Sequence, residues 1–133
     1  MKGILLISHG KLAEGMKDTL ELFSGRIEQF DALSLSAGQE IFDFRKKLSQ
    51  KIDSLDKGEG VVIFCDLAFG TPANIAAKML TNDEYKSRIQ IITGMNLPII
   101  LEYSQLRSKD VDFNEMISVG KDGIINLNER LNI

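Results

Sequence analysis

Apolar and polar positions along this chain switch repeatedly between two periods. Residues 3–8 (GILLIS) form a short continuous apolar run, the pattern of a strand buried on both faces. Residues 11–24 then place Leu12, Met16, Leu20 and Phe23 at helical spacing, with Gly25 as the stop. Residues 29–35 (QFDALSL) alternate like a strand with one wetter face. The clearest helix covers 37–55, where Ile41, Phe44, Leu48, Ile52 and Leu55 line one side and Ser36 with Gln39 has capping-box spacing.

A second fully apolar run, 60–65 (GVVIFC), predicts a third strand. Helix 71–82 follows, with Thr71 as N-cap and Pro72 at its first position. Residues 88–93 (RIQIIT) read as a fourth strand, and Asn96 with Pro98 opens a helix over 97–107. Asp112 and Glu115 can cap a last helix over 113–120. That leaves 124–127 (IINL), behind a turn at Gly123, for a short fifth strand.

Strands alternating with helices predict an α/β fold: a doubly wound, mostly parallel sheet with helices on both faces, in the flavodoxin-like order 2-1-3-4-5. The last strand is the exception, because it is short and follows its helix closely. It is free to run antiparallel or to pair outside the chain. With no internal repeat, low-complexity tract or linker, residues 1–133 are expected to form one domain.

Composition narrows the function by exclusion. A net charge of −3 without a basic stripe argues against nucleic acid as a partner. The apolar run near the N-terminus breaks at Ser8-His9-Gly10, too early for a signal peptide. No stretch approaches the roughly 20 apolar residues of a membrane span. The one cysteine, Cys65, allows no internal disulfide and fits a reducing cytoplasm; within an apolar strand it reads as inert core. The charged clusters at 86–88 and 107–109 read as solvated loops. No grouping of residues has metal-ligand spacing, and no phosphate-binding glycine motif of a nucleotide site is present, so neither metal nor cofactor is expected.

Chemistry concentrates at the predicted switch point, outside the carboxyl ends of strands one and three. Ser8-His9-Gly10 follows the first strand and Asp66 follows the third, so the order places His9 and Asp66 across one crevice. His9 is the single histidine, and Gly10 leaves backbone space beside it. A neutral imidazole is a competent nucleophile when one nitrogen is held as donor. Asp66 can hold it, or can simply cap the loop before the next helix. The start of helix 71–82 at Gly70-Thr71 offers free N–H groups and a positive dipole end to an anion. The Thr71 hydroxyl can donate to a phosphate or accept as a cap.

The segments ILLISHG, CDLAFGTPANIAAKML and ITGMNLPIILE together resemble the mannose-type IIA component of the bacterial sugar phosphotransferase system, a type serving mannose, fructose, sorbose and N-acetylgalactosamine uptake. The resemblance runs the full length in order. It implies a cytoplasmic phosphotransferase in which His9 takes a phosphoryl group on Nε2 from the phosphocarrier HPr and passes it to a IIB component. The membrane components IIC and IID would be involved only indirectly. It also implies a homodimer that exchanges a C-terminal antiparallel strand. Asp66 falls on the aspartate that orients the histidine, and Thr71 and Asn74 on the hydroxyl and asparagine that follow. Gly70 and Ser8 complete the expected phosphate site, with Gly10 supporting it. The loop departs from the pattern, since Phe69 stands where many members have a second glycine and Ala68 where an aromatic is common.

Two other readings use the same crevice. The phosphotransfer subunit of a dihydroxyacetone kinase shares the fold and histidine chemistry but hands phosphate to a different partner. A flavodoxin-like anion-binding module would need no reactive histidine. A histidine phosphatase is excluded, because Ser8 replaces the arginine it needs and there is no second histidine. A receiver domain is excluded by the lack of acidic residues after strand one.

Overall fold

In the computed structural model, which describes residues 1–133, the alternation of periods becomes alternating strands and helices. Their order is β1 (Gly3–His9), α1 (Leu12–Ser24), β2 (Phe30–Leu35), α2 (Ile41–Leu55), β3 (Val61–Cys65), α3 (Thr71–Met79), α4 (Asp83–Lys86), β4 (Ile89–Ile92), α5 (Leu97–Leu106), α6 (Phe113–Asp122) and α7 (Leu127–Arg130). The four strands are all parallel and ordered β2-β1-β3-β4, matching the first four places of the expected order.

The continuous apolar runs are explained by burial on both sides of the sheet. Leu5, Ile7, Ile63 and Cys65 face Phe44, Leu48 and Ile52 of α2 and Ala76 and Met79 of α3. The alternate residues Ile4, Leu6, Val62 and Phe64 face Leu20 of α1, Ile100 and Tyr103 of α5 and Met116 of α6. Successive strand side chains point to opposite faces, so a strand covered on both must be apolar at every position. Each such Leu or Ile contributes about 1.5–3 kcal/mol through burial. No helix is long and apolar enough to cross a membrane.

Several expectations are corrected. The fifth strand does not form in the single chain. Residues 124–126 carry no regular structure, and 127–130 make one helical turn that Asn126 caps by accepting from the Glu129 N–H. An isolated four-residue segment has no ladder partner to hold it extended, whereas a cap can hold one turn locally. The short helix α4 was not anticipated; Asn82 caps it by accepting from the Glu84 N–H.

Helix α1 buries Ala13 and Leu20, with Leu12 and Phe23 exposed. At about 100° per residue, Leu12 and Phe23 lie roughly 60–100° around the helix from the buried pair. Gln39 accepts from the Ser36 N–H at 3.0 Å, but this half-box precedes α2, whose N-cap is Glu40, and Ile41 is exposed. The two basic clusters are not simply solvated. Arg107 is buried and donates to the carbonyls of Glu28 and Gln29, while Arg88 pairs with Asp53 and Asp56 at 2.8 Å. Those partners lie far away in sequence, beyond the reach of a local composition argument.

Candidate functional site

His9 ends β1, and Asp66 is the first residue beyond β3. The two strands are parallel neighbours with Ile7 opposite Cys65, so both chains leave the sheet at the same end and side by side. Asp66 Oδ2 accepts two hydrogen bonds from His9, one from its main-chain N–H at 2.9 Å and one from the ring at Nδ1 at 2.7 Å. The other oxygen, Oδ1, accepts from the Leu67 N–H at 2.9 Å.

Burial works to raise the Asp66 pKa, but the hydrogen bonds from the His9 main chain, the His9 ring and the Leu67 N–H outweigh it. The carboxyl therefore sits below the ordinary carboxylate range. An ionised carboxylate only accepts, so Nδ1 carries the proton and the Nε2 lone pair is left free. The ring is 45% exposed and the Asp66 side chain 10%, which suits a reactive edge open to a partner and a sheltered holder behind it.

Gly70 is the N-cap of α3, and its backbone at φ −79°, ψ 166° is open to any residue. Its need for glycine is spatial. A Cβ there would stand 2.7 Å from Cε1 of His9 and 3.4 Å from Nε2, so this edge of the ring lies against the opening turn of α3. The unpaired N–H groups and positive dipole end of that turn favour an anion beside Nε2.

Thr71 is the first helical residue rather than the cap, and no side chain caps this helix. With Gly70 in the cap position, the Thr71 hydroxyl is one step too far along the helix for that task. Pro72 follows in the first turn, where it removes no helical hydrogen bond. Asn74 holds the loop in shape, donating its side-chain amide to the Phe69 carbonyl at 3.2 Å and its main-chain N–H to the Gly70 carbonyl at 2.9 Å. A groove between α2 and α3 opens beside Thr71 and is bordered by Ile41, Ile75, Arg45 and Lys78.

Ser8 does not belong with the phosphate-facing groups. It is fully buried, and its hydroxyl donates to the Gly10 carbonyl at 3.0 Å and accepts from the Ala13 N–H at 2.8 Å. It ties the turn after β1 to the start of α1, with both hydrogen-bonding roles occupied. Gly10 makes that turn at φ +57°, which favours glycine, and its N–H donates to the Leu35 carbonyl at 2.9 Å. Cys65 is wholly buried; burial, with the neighbouring Asp66 charge, pushes its thiol up to about 12. It is no nucleophile.

Two features escape a reading of the sequence. The Leu67 N–H bond to Asp66 is a main-chain contact with no residue signature. Phe69 stands at φ +63° and is 91% exposed, next to Gly70 at the start of α3, which meets the edge of the His9 ring.

The geometry is therefore that of an oriented imidazole nucleophile facing a helix N-terminus, suited to an anionic electrophile. A family model described as the PTS system fructose IIA component matches residues 3–119. Over 125 residues the chain is 26% identical to the PTS system mannose-specific EIIAB component of Escherichia coli (strain K12), covering 91% of this chain. It spans only 38% of that protein's length. It is 27% identical over 107 residues to the PTS system fructose-specific EIIA component of Bacillus subtilis, covering 80% of this chain and 71% of that one. The crystal structure of the PTS IIA protein associated with the fucose utilization operon of Streptococcus pneumoniae superposes with a TM-score of 0.89. It is 28% identical and covers 98% of this chain and 96% of the other.

Proposed function

Because this chain belongs to the fructose IIA family of the sugar phosphotransferase system, whose model spans residues 3–119, we propose that it is a phosphohistidine relay in which His9 is the phosphoacceptor. The observation that carries the proposal is the 2.7 Å hydrogen bond between His9 Nδ1 and Asp66. It leaves Nε2 as the free nucleophile, pointed along the ring edge that meets α3.

In this reading HPr brings its phosphoryl group to Nε2. The Nε2 lone pair forms the new N–P bond as the donor's N–P bond breaks, and that electron pair stays with the donor ring. Asp66 stabilises the cationic ring that results, as a carboxylate does for an imidazolium. The N–H groups of the opening turn of α3, with the Thr71 hydroxyl, hold the phosphoryl oxygens. Gly70 supplies the space, Gly10 the turn, and Asn74 the shape of the loop. A IIB component then takes the phosphoryl group by the reverse chemistry, serving sugar uptake through the membrane components IIC and IID without direct contact with them.

The protein is proposed to work in the cytoplasm, with residues 1–133 as one IIA domain and two copies forming a dimer. The dimer reading is supported by the exposed apolar residues Ile124, Ile125, Leu127, Leu131 and Ile133, and by the position of β4 at the open end of the sheet. Reconstitution with phosphoenolpyruvate, enzyme I and HPr tests the relay. The phosphoryl group is expected to appear on this chain and to leave it when a IIB component is added; a chain that never acquires it contradicts the proposal.

A further inference from the structure

We propose that the β2 edge of the sheet is closed by its own side chains, chiefly Asp31, so that the C-terminal segment of a second copy can pair only at β4. The inference rests on the dimer reading above, and adds to it the choice of edge and the limit of two copies. The sheet has two edges, β2 and β4. Either would offer a row of main-chain groups to an extended segment unless something covers them.

Register tells which groups of β2 point outward. The Gln29 carbonyl accepts from the Ile4 N–H at 2.8 Å and the Leu35 carbonyl from the Gly10 N–H at 2.9 Å. The odd-numbered residues of β2 therefore turn their main-chain groups toward β1, and Ala32, Ser34 and Ser36 turn theirs away. The Ala32 N–H donates to Asp31 Oδ1 at 2.8 Å, and the Ser36 N–H to Gln39 Oε1 at 3.0 Å. Asp31 is strapped over the edge from both faces of the sheet. Lys51 of α2 donates to its Oδ2 at 2.5 Å, and Lys17 of α1 lies 3.6 Å from its Oδ1. Gln39 is fixed in turn by donating to Asp43 Oδ2 at 2.8 Å. An added strand bonds to alternate residues, and here it would meet one open donor, Ser34, between two closed ones.

The β4 edge has no such cover. The Arg88 carbonyl accepts from the Val61 N–H at 2.8 Å, so the even-numbered residues face β3 and Ile89 and Ile91 face outward. The ion pairs of Arg88 with Asp53 and Asp56 lie before the start of the strand, and no side chain accepts from the N–H of Ile89 or Ile91. The occupant comes from the chain itself. Residues 124–133 expose Ile124, Ile125, Leu127, Leu131 and Ile133, include the strand-forming run IINL, and add no strand to their own sheet. Two copies that exchange this segment at β4 close on each other, and both segments are used. An open β2 would let a further copy join, and the assembly would grow.

The test is sedimentation of the full chain over a range of concentrations, comparing wild type with the double variant Asp31→Ala, Gln39→Ala. Wild type is expected to hold the mass of two copies throughout. The double variant is expected to exceed it, with a mean mass that rises about twofold or more across the range and falls again on dilution. Its melting temperature should drop by only a few degrees, since the groups removed are partly exposed. Should that variant not fold, Asp31→Thr with Gln39→Ala takes its place, because threonine favours a strand and still leaves the Ala32 N–H uncovered. Removing residues 123–133 from the double variant is expected to abolish the growth. A double variant that stays at two copies overturns the proposal, and so does growth that persists after the truncation, which would place the new contact elsewhere. A wild type that sediments as one copy overturns the dimer reading itself.

Discussion

A Cβ on Gly70 would stand 2.7 Å from Cε1 of His9, so the reactive ring and the α3 N-terminus share a space that only a glycine leaves open. The helix backbone cannot retreat without breaking its first turn, where the Asn74 N–H is bonded to the Gly70 carbonyl at 2.9 Å. The ring is the partner free to move. Moving it stretches its 2.7 Å hydrogen bond to Asp66.

Gly70→Ala is therefore expected to fold, since φ −79° suits alanine, but to receive phosphate about tenfold or more slowly than wild type. Rates of labelling by phospho-HPr, with the Nδ1–H resonance of His9 as a reporter of the Asp66 bond, check this. A wild-type rate with the resonance unchanged would show that the ring does not depend on this space.

Asp66→Asn separates the tautomer from the fold. An amide can turn its NH2 toward Nδ1, which moves the ring proton to Nε2 and removes the lone pair, so transfer is expected to slow by about tenfold or more. The variant should also lose part of the acid dependence of stability. The Asp66 pKa is lowered on folding, so its contribution is complete above the ordinary carboxylate range near 4 and disappears as pH falls through the folded value. Denaturant titrations at a series of pH values should show wild type and variant converging in acid and parting above it. Parallel stability curves, together with wild-type transfer, would reduce Asp66 to a loop cap.

Removing residues 123–133 tests the proposed dimer. The segment exposes five large apolar side chains and adds no strand to the sheet of its own chain. Sedimentation analysis is expected to show weaker dimerisation with the melting transition of the domain retained. A truncated chain that remains fully dimeric would contradict exchange of this segment.

Much of the site could be read from residues alone, for identifiable reasons. GILLI and GVVIFC are apolar throughout because both faces of β1 and β3 are covered, and that pattern marks central parallel strands. Once they are central, the switch-point rule brings His9 and Asp66 together across 57 residues of sequence. What escaped was decided by tertiary contact or by backbone angle. Ser8 sits beside the histidine like a ligand, yet its hydroxyl is consumed by Gly10 and Ala13. Arg107 lies in a charged cluster, yet it is buried against carbonyls from the loop before β2. IINL has strand composition, but composition cannot supply the edge that a strand must pair with. Phe69 was visible as a departure from glycine, whereas its positive φ follows only from the way Asn74 and Gly70 close the loop.

The central claim is that His9 alone carries the phosphoryl group, and the most direct measurement is labelling of wild type and His9→Gln from phosphoenolpyruvate through enzyme I and HPr. Wild type is expected to gain one acid-labile, base-stable phosphoryl group per chain, and His9→Gln none. A His9→Gln protein that still takes up label would contradict the account.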